Sequence, residues 1–476
     1  MSNRNKKFYI TTTLPYVNAD PHIGYALEII QADVLARYYQ AQGCEVFFNT
    51  GVDEHGLKIF RKAKENNLEP QIYCDIYAKK FNSLKVALNL SYNNFIRTTD
   101  PHHIKAAQEF WSRCNKNGDI YKKNYKIKYC VGCELEKTES ELIKGRCPIH
   151  SSQEIEIIEE ENYFFRYSKY QKKLLNFYKK NSEFVIPKSR FNEIKEFTSR
   201  GLEDFSISRL KEKMPWGVPV PGDDKHIIFV WFDALVSYIS ALGWPDNLGK
   251  FNDFWPGLQV AGKDNLRQQS SMWQAMLMSA DLPPSRQIFI HGFINSNGQK
   301  MSKTLGNVID PFLLVKKYST DAVRYYLLRE ISPVEDGDFT YEKFEQRYNG
   351  DLAGGIGNLV ARTTAMAIKL NTSQAKPSFK INKAVNTAKK NCKKYLESFK
   401  FNEALKSIWE LIGFCDKYIN EEKPWEAKKN ANQIISDILF ALQSIADLLC
   451  PFLPETSEKI KQLIEQKKQE ALFPRI

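Results

Sequence analysis

His22 and Gly24 in Pro21-His22-Ile23-Gly24, together with Lys300 and Lys303 in Lys300-Met301-Ser302-Lys303-Thr304, are suited to handling a polyphosphate. A histidine and a glycine at a helix start bring unpaired backbone N–H groups and the positive end of the helix dipole to an anion. Glycine lets a nucleotide approach the backbone closely, and the imidazole can donate to charge developing on a phosphoryl oxygen. The two lysines follow Ser296-Asn297-Gly298-Gln299, a hairpin-like turn. They therefore ride on a loop able to fold over a triphosphate. Pro-His-Ile-Gly alone is a weak signal; the pair of segments specifies nucleotide chemistry.

A second constellation has metal-ligand spacing. Cys130-Val131-Gly132-Cys133 is followed after thirteen residues by Cys147-Pro148-Ile149-His150, two knuckles that deliver four ligands to tetrahedral Zn2+. Four protein ligands leave no position for water, so the expected role is structural. In a small polar segment the ion would replace part of a missing core.

The elements that must position these residues read as an α/β domain. Phe8 to Leu14 is a buried strand and Pro15 to Pro21 a loop. Ile23, Leu27, Ile30, Val34, Tyr38 and Ala41 then recur at helical spacing until Gly43. Glu45 to Thr50 is a second strand, a helix starts at Leu57, Phe95 to Thr98 is strand-like, and Asp100-Pro101 opens another helix. Such alternation predicts a mostly parallel, Rossmann-like sheet with ligands beyond its C-terminal strand ends. His22 and Asp53 lie at those ends. From Gly118 the pattern breaks into cysteine turns and charged runs, then resumes at Ile227 to Trp231, Leu258 to Gly262 and Gln287 to His291. From Asp351 it is all helical, with apolar faces such as Leu405, Ile408, Ile412 and Ile419. The expected organisation is a catalytic domain in two halves, 1–117 and 226–295, a zinc-knuckle insertion at 118–225, a lysine-loop region at 296–350 and a helical bundle at 351–476.

The 476 residues exceed what one core usually supports, and 43% apolar content is ample for several. No apolar run approaches a membrane span, and no signal segment precedes Phe8, so no membrane partner and a cytoplasmic location are expected. Nine cysteines, an odd number, argue for reduced thiols rather than a disulfide framework. The net charge of +12 suits a polyanionic partner, although a lysine-rich composition alone can produce it.

His22-Ile23-Gly24 with Lys300-Met301-Ser302-Lys303 resembles the paired signatures of the class I aminoacyl-tRNA synthetases. Leu14-Pro15-Tyr16-Val17-Asn18, Gly51-Val52-Asp53-Glu54-His55-Gly56, Val230-Trp231-Phe232-Asp233-Ala234 and Lys300 to Asn307 are similar to the methionine-specific branch of that family over essentially the whole chain. The resemblance implies that methionine carboxylate attacks the α-phosphate of ATP, accompanied by Mg2+, and that the adenylate passes methionine to tRNA(Met). His22 and Gly24 would stabilise the charge, and Lys300 and Lys303 would neutralise the leaving diphosphate. It implies a methionine pocket of Leu14, Tyr16, Asp53, Trp231, Ala234 and Tyr238, with Asp53 holding the ammonium, and an adenosine-side loop with Gly262 and Asp264. In the bundle it implies that Trp425 stacks on an anticodon base while Asn358 and Arg362 read base edges.

Three positions depart from the family pattern: Tyr25 replaces a second histidine, Thr304 a final serine, and Gln268-Gln269 an aromatic followed by histidine. Competing readings are a synthetase for another apolar amino acid, disfavoured because no large editing insertion fits, a tRNA-binding paralogue without aminoacylation activity, and a small-molecule adenylating enzyme. The chain ends soon after its last predicted helix, so a dimerising C-terminal RNA-binding domain is not expected, and a monomer is.

Overall fold

Strands Lys7–Thr12, Glu45–Val52 and Asn94–Arg97 run parallel, Ile10 beside Phe48 and Thr50 beside Phe95, because long helical connections rather than tight turns join them. The computed structural model describes residues 6–133, 135–137, 141–302, 305–370, 372, 375–426 and 430–476. Across the sheet the order is Asn94–Arg97, Glu45–Val52, Lys7–Thr12, Leu258–Gly262, Gln287–His291 and Val185–Ile186. The order of the first three strands reverses at Lys7–Thr12, where Leu258–Gly262 joins on the other side. Ligands of α/β sheets bind at such a switch point. The edge strand Val185–Ile186 comes from within the segment read as an insertion and pairs in parallel with Gln287–His291.

Two local expectations are corrected. The run Ile227 to Trp231 does not continue the parallel sheet. Asp223–Ile228 pairs antiparallel with Pro219–Val220 and Ser208–Leu210, and Val230–Leu235 is a short helix. A continuous apolar run of this length fits a buried strand and a buried helical turn equally well. Asp100 does precede the helix Pro101–Lys116, but its side chain accepts from Arg97 N at 2.9 Å rather than from the helix.

The chain forms two compact units. The first comprises Met1–Pro21, Gly43–Ser83 and Tyr92–Ile290; the second comprises His22–Gln42, Leu84–Ser91 and His291–Ile476. Besides the parallel sheet, the first unit carries a four-stranded antiparallel sheet built on the long pairing of Ile120–Cys130 with Glu156–Phe165. The second unit contains the helix Ile23–Ala41 and the C-terminal helices Asn358–Lys369, Phe379–Leu396, Phe401–Glu422, Ala431–Leu449 and Pro454–Glu465. Leu405, Ile408, Ile412 and Ile419 are buried as their spacing requires.

Arg324 ties the second unit together. Its buried guanidinium pairs with Asp33 at 2.7 Å and donates to the carbonyls of Leu88, Pro451 and Phe452. Removing one partner of such a pair would leave a buried charge uncompensated. The helix that begins after His22 is thus anchored through Asp33.

Candidate active site

In the second unit, His22 caps the helix Ile23–Ala41 with extended backbone, and its Nδ1 accepts from Gly24 N at 3.0 Å. That bond leaves the proton of the neutral ring on Nε2, free to donate. The surrounding protein lowers the imidazole pKa, favouring this neutral form. A β-carbon on Gly24 would lie 2.8 Å from His22 Cε1, so glycine is required for the ring to sit over the helix start. Four residues after Gly24, Glu28 pairs with His291 Nε2 at 2.9 Å and fixes the first turns. Tyr25, the departure beside Gly24, is buried.

The lysine loop belongs to the same unit and meets this helix start. Asn297 and Gly298 have φ of 51° and 73°, the left-handed pair of a tight hairpin turn between Ile294–Ser296 and Gln299–Lys300. Met301 Cε lies 3.8 Å from the β-carbon position of Gly24, and Ile23 N donates to Ile309 O at 3.0 Å. Asn307 folds the loop on itself, accepting from Ser302 N and donating to Lys300 O. Lys300 is exposed. Lys303 and Thr304 lie outside the described residues.

The residues expected to surround an amino acid belong to the first unit. Tyr16 and Asp53 form a parallel bridge between the first two strand ends, with Asp53 N donating to Pro15 O at 3.0 Å. Leu14, half-buried, lies in the same loop. Asp53 is buried and accepts weakly from His55 N and Thr98 Oγ1, both at 3.4 Å. Trp231, Ala234 and Tyr238 are spaced at i, i+3 and i+7 along helical backbone and so share one face; Trp231 stands on a helix rather than at a strand end. Tyr16 and Trp231 pack on one apolar cluster with Phe229 and Val230. Gln269 Nε2 donates to Tyr238 OH at 2.6 Å, while Gln268 and Gln269 are both buried. Gly262 ends its strand, and Asp264 follows in an exposed turn where it accepts from Asn265.

Sequence reading missed the support of this face. Asp233, fully buried, accepts from His55 Nδ1 at 2.6 Å and His103 Nε2 at 2.8 Å, and His103 Nδ1 is 2.9 Å from Ser240 Oγ. Burial alone would raise the carboxyl, but the charge of His55 and the hydrogen bonds from both rings hold it down at about 2. His55 and Asp233 stand inside the motifs already singled out, whereas nothing near His103 points to a partner 130 positions away.

Cys130, Cys133, Cys147 and His150 bring their ligand atoms within 4.8 Å of one another. Cys133 Sγ is 3.5 Å from Cys147 Sγ and 3.2 Å from His150 Nδ1, close to the edge of about 3.8 Å of a tetrahedron with Zn–S bonds of about 2.3 Å. The donor set therefore fits zinc. Burial raises the Cys147 thiol, but N–H groups of His150 and Ile149 outweigh it and bring the thiol below its ordinary range. A β-carbon on Gly132 would come within 2.5 Å of the His150 ring. Val131, inside the knuckle, packs on the same apolar cluster as Tyr16 and Trp231.

In the second unit, Arg362 lies 5.9 Å from the ring of Trp425, which is 49% exposed, and donates to Asn420 at 2.9 Å. Asn358 is exposed four residues before Arg362 on the same helix.

A Rossmann-like sheet, a helix-start histidine met by a lysine loop, a four-ligand knuckle and a helical bundle define a class I tRNA synthetase. A family model described as tRNA synthetases class I (M) matches residues 8–157 and 139–364, and the chain belongs to that family. Residues 380–474 match a second, described as the anticodon-binding domain of tRNA ligase. The chain is 43% identical over 471 residues to methionine–tRNA ligase of Thermotoga maritima, covering 95% of this chain and 74% of that one. It is 43% identical over 472 residues to the ligase of Thermosynechococcus vestitus, covering 95% and 89%. Mycobacterium tuberculosis methionyl-tRNA synthetase in complex with methionyl-adenylate matches with a TM-score of 0.92 and 36% identity over 96% of this chain and 94% of that one.

Proposed function

We propose that the protein ligates L-methionine to tRNA(Met) in two steps. A methionine carboxylate oxygen attacks the α-phosphorus of ATP, the bond to the β-phosphate bridging oxygen breaks, and diphosphate leaves. A ribose hydroxyl at the 3′ end of the tRNA then attacks the adenylate carbonyl, and AMP leaves.

The observation that carries this reading is the meeting of Met301 with the helix start at Gly24. It supports a single polyphosphate site shared by His22, Gly24, Lys300 and Lys303. His22 Nε2–H and the helix start stabilise developing phosphoryl charge, and the lysines neutralise the diphosphate. Gly262 and Asp264 take the adenosine side. Asp53 holds the methionine ammonium, Leu14 and Tyr16 close the pocket, and Trp231, Ala234 and Tyr238 receive the thioether, whose contacts with aromatic rings contribute roughly 0.3–1.5 kcal/mol each. Mg2+ accompanies ATP and screens its charge. One structural Zn2+ occupies Cys130, Cys133, Cys147 and His150. Asn358, Arg362 and Trp425 read the anticodon. The boundaries at 117, 225, 295 and 350 are the proposed division of these tasks. The proposed enzyme is cytoplasmic and monomeric; among the described residues no helix is long and apolar enough to cross a membrane.

The test is ATP–diphosphate exchange across the twenty amino acids: exchange dependent on methionine is expected, and its absence refutes the reading. Lys303→Ala should slow exchange with tRNA affinity intact. Trp425→Ala should do the reverse.

A further inference from the structure

Helix Phe379–Leu396 carries six lysines and no carboxylate. Lys380, Lys383, Lys390 and Lys394 fall on one face at helical spacing, a stripe about 21 Å long at 1.5 Å per residue. All four are exposed. Lys380 lies 3.8 Å from Glu421, but among the described residues Lys383, Lys390 and Lys394 have no carboxylate within ion-pair distance. Lys380 also stands in the first turn, where the helix dipole disfavours a cation, whereas Lys394 in the last turn is favoured by it. Like charges four apart, at Lys390 and Lys394, repel further. Among the described residues no carboxylate offsets the charge of Lys383, Lys390 or Lys394.

At the head of the stripe Phe379 is 84% exposed. It borders a groove of about 520 Å3 between this helix and Phe401–Glu422, floored by Ala384, Ala388, Leu411 and Phe414, with Glu410 the acid on its far wall. An exposed aromatic ring beside a run of lysines is the pairing that binds unpaired nucleotides, the ring stacking on a base and the amines on phosphates. Helix Phe401–Glu422 separates this surface from the Trp425 site and contacts both. Lys380 reaches its Phe414, Tyr418 and Glu421, and Arg362 reaches Asp416 and Asn420. These residues lie on opposite sides of one helix, about 10–12 Å apart.

We propose that Phe379 and the stripe Lys380-Lys383-Lys390-Lys394 form a second RNA-contact surface, on which an unpaired tRNA nucleotide outside the anticodon stacks and about six neighbouring phosphates, at 3.4 Å per nucleotide, align with the lysines. The inference rests on the reading of the bundle as tRNA-binding.

The experiment measures affinity for a tRNA(Met) transcript against salt concentration in the full-length protein. Phe379→Ala should weaken binding about 5- to 150-fold, and Phe379→Tyr should retain it. The exposure of Phe379 makes misfolding an unsuitable explanation, and unchanged methionine-dependent exchange checks this. Replacing Lys383, Lys390 and Lys394 together by Gln should lower the slope of log affinity against log salt by about 2 to 3. Wild-type affinity and slope in both variants, with Trp425→Ala weakened, would overturn the proposal and leave the anticodon reading standing. Weakening in both variants with Trp425→Ala unaffected would uphold it and discard the role of Trp425. Wild-type behaviour in all three overturns both.

Discussion

Met301 Cε lies 3.8 Å from the point where a β-carbon on Gly24 would stand, so the lysine loop closes directly on the helix start that His22 caps. The same β-carbon would come within 2.8 Å of His22 Cε1 and 3.0 Å of Nδ1. An added methyl must push the ring off its hydrogen bond to Gly24 N, turning Nε2–H away from any phosphate it serves. Gly24→Ala should therefore lower kcat for ATP–diphosphate exchange about 100-fold, the scale on which ångström misplacements act, with the thermal midpoint little changed. A variant exchanging at the wild-type rate would remove His22 from the chemistry.

Much of this was legible in the sequence because the determinants are local. The 3.6-residue period from Ile23 to Ala41, Gly43 as its stop, the Asn297-Gly298 turn and the knuckle spacing each depend on a few neighbouring residues. What failed depended on distant partners. The run Ile227 to Trp231 has no intrinsic preference strong enough to choose between strand and helix, and pairing with Ser208–Leu210 and Pro219–Val220 decides where the strand ends. Val185–Ile186 is too short to announce itself and exists as a strand only because Gln287–His291 pairs with it. His103 is hidden for the same reason.

The knuckle and the proposed pocket wall share one apolar cluster through Val131, Tyr16 and Trp231. Removing the metal should consequently act on methionine as well as on stability. Wild-type protein should carry one zinc per chain by elemental analysis, and Cys147→Ala should carry far less. After chelation the KM for methionine should rise several-fold while that for ATP changes less. A zinc-free protein with unaltered KM for methionine would limit the knuckle to a remote structural role.

Asp321 gives a pH prediction of unusual sign. Burial raises its carboxyl from 3.8 to about 6, despite the bond from Thr456 N at 2.6 Å and the charge of Arg324. The folded state holds this proton more tightly than the unfolded chain, so the contribution of Asp321 to stability is complete below pH 3.8 and is lost as pH rises through about 6. The interval corresponds to at most about 3 kcal/mol. Asp321→Asn keeps an oxygen for Thr456 N and removes the titration. Its stability relative to wild type should rise between pH 4 and pH 7, read as urea midpoints, and a constant difference across that range would contradict the assignment.

Asp233 behaves in the opposite sense, because the charge of His55 and the hydrogen bonds from both rings overcome burial and hold the carboxyl at about 2. Its contribution to stability is complete above pH 3.8 and is lost as pH falls through about 2. His103→Ala withdraws one donor from a fully buried carboxylate and should cost about 3–5 kcal/mol, the scale for breaking a buried pair. With only His55 left, the folded carboxyl should titrate higher, so acid unfolding should begin at a higher pH than in the wild type. Asp233 lies between Trp231 and Ala234 on one short helix, so the KM for methionine should rise in the same variant. Rescue of both effects by His103→Gln, which restores a donor without a titratable ring, would establish that the hydrogen bond rather than the imidazole charge positions this helix; failure of His103→Gln to restore either would assign the effect to charge.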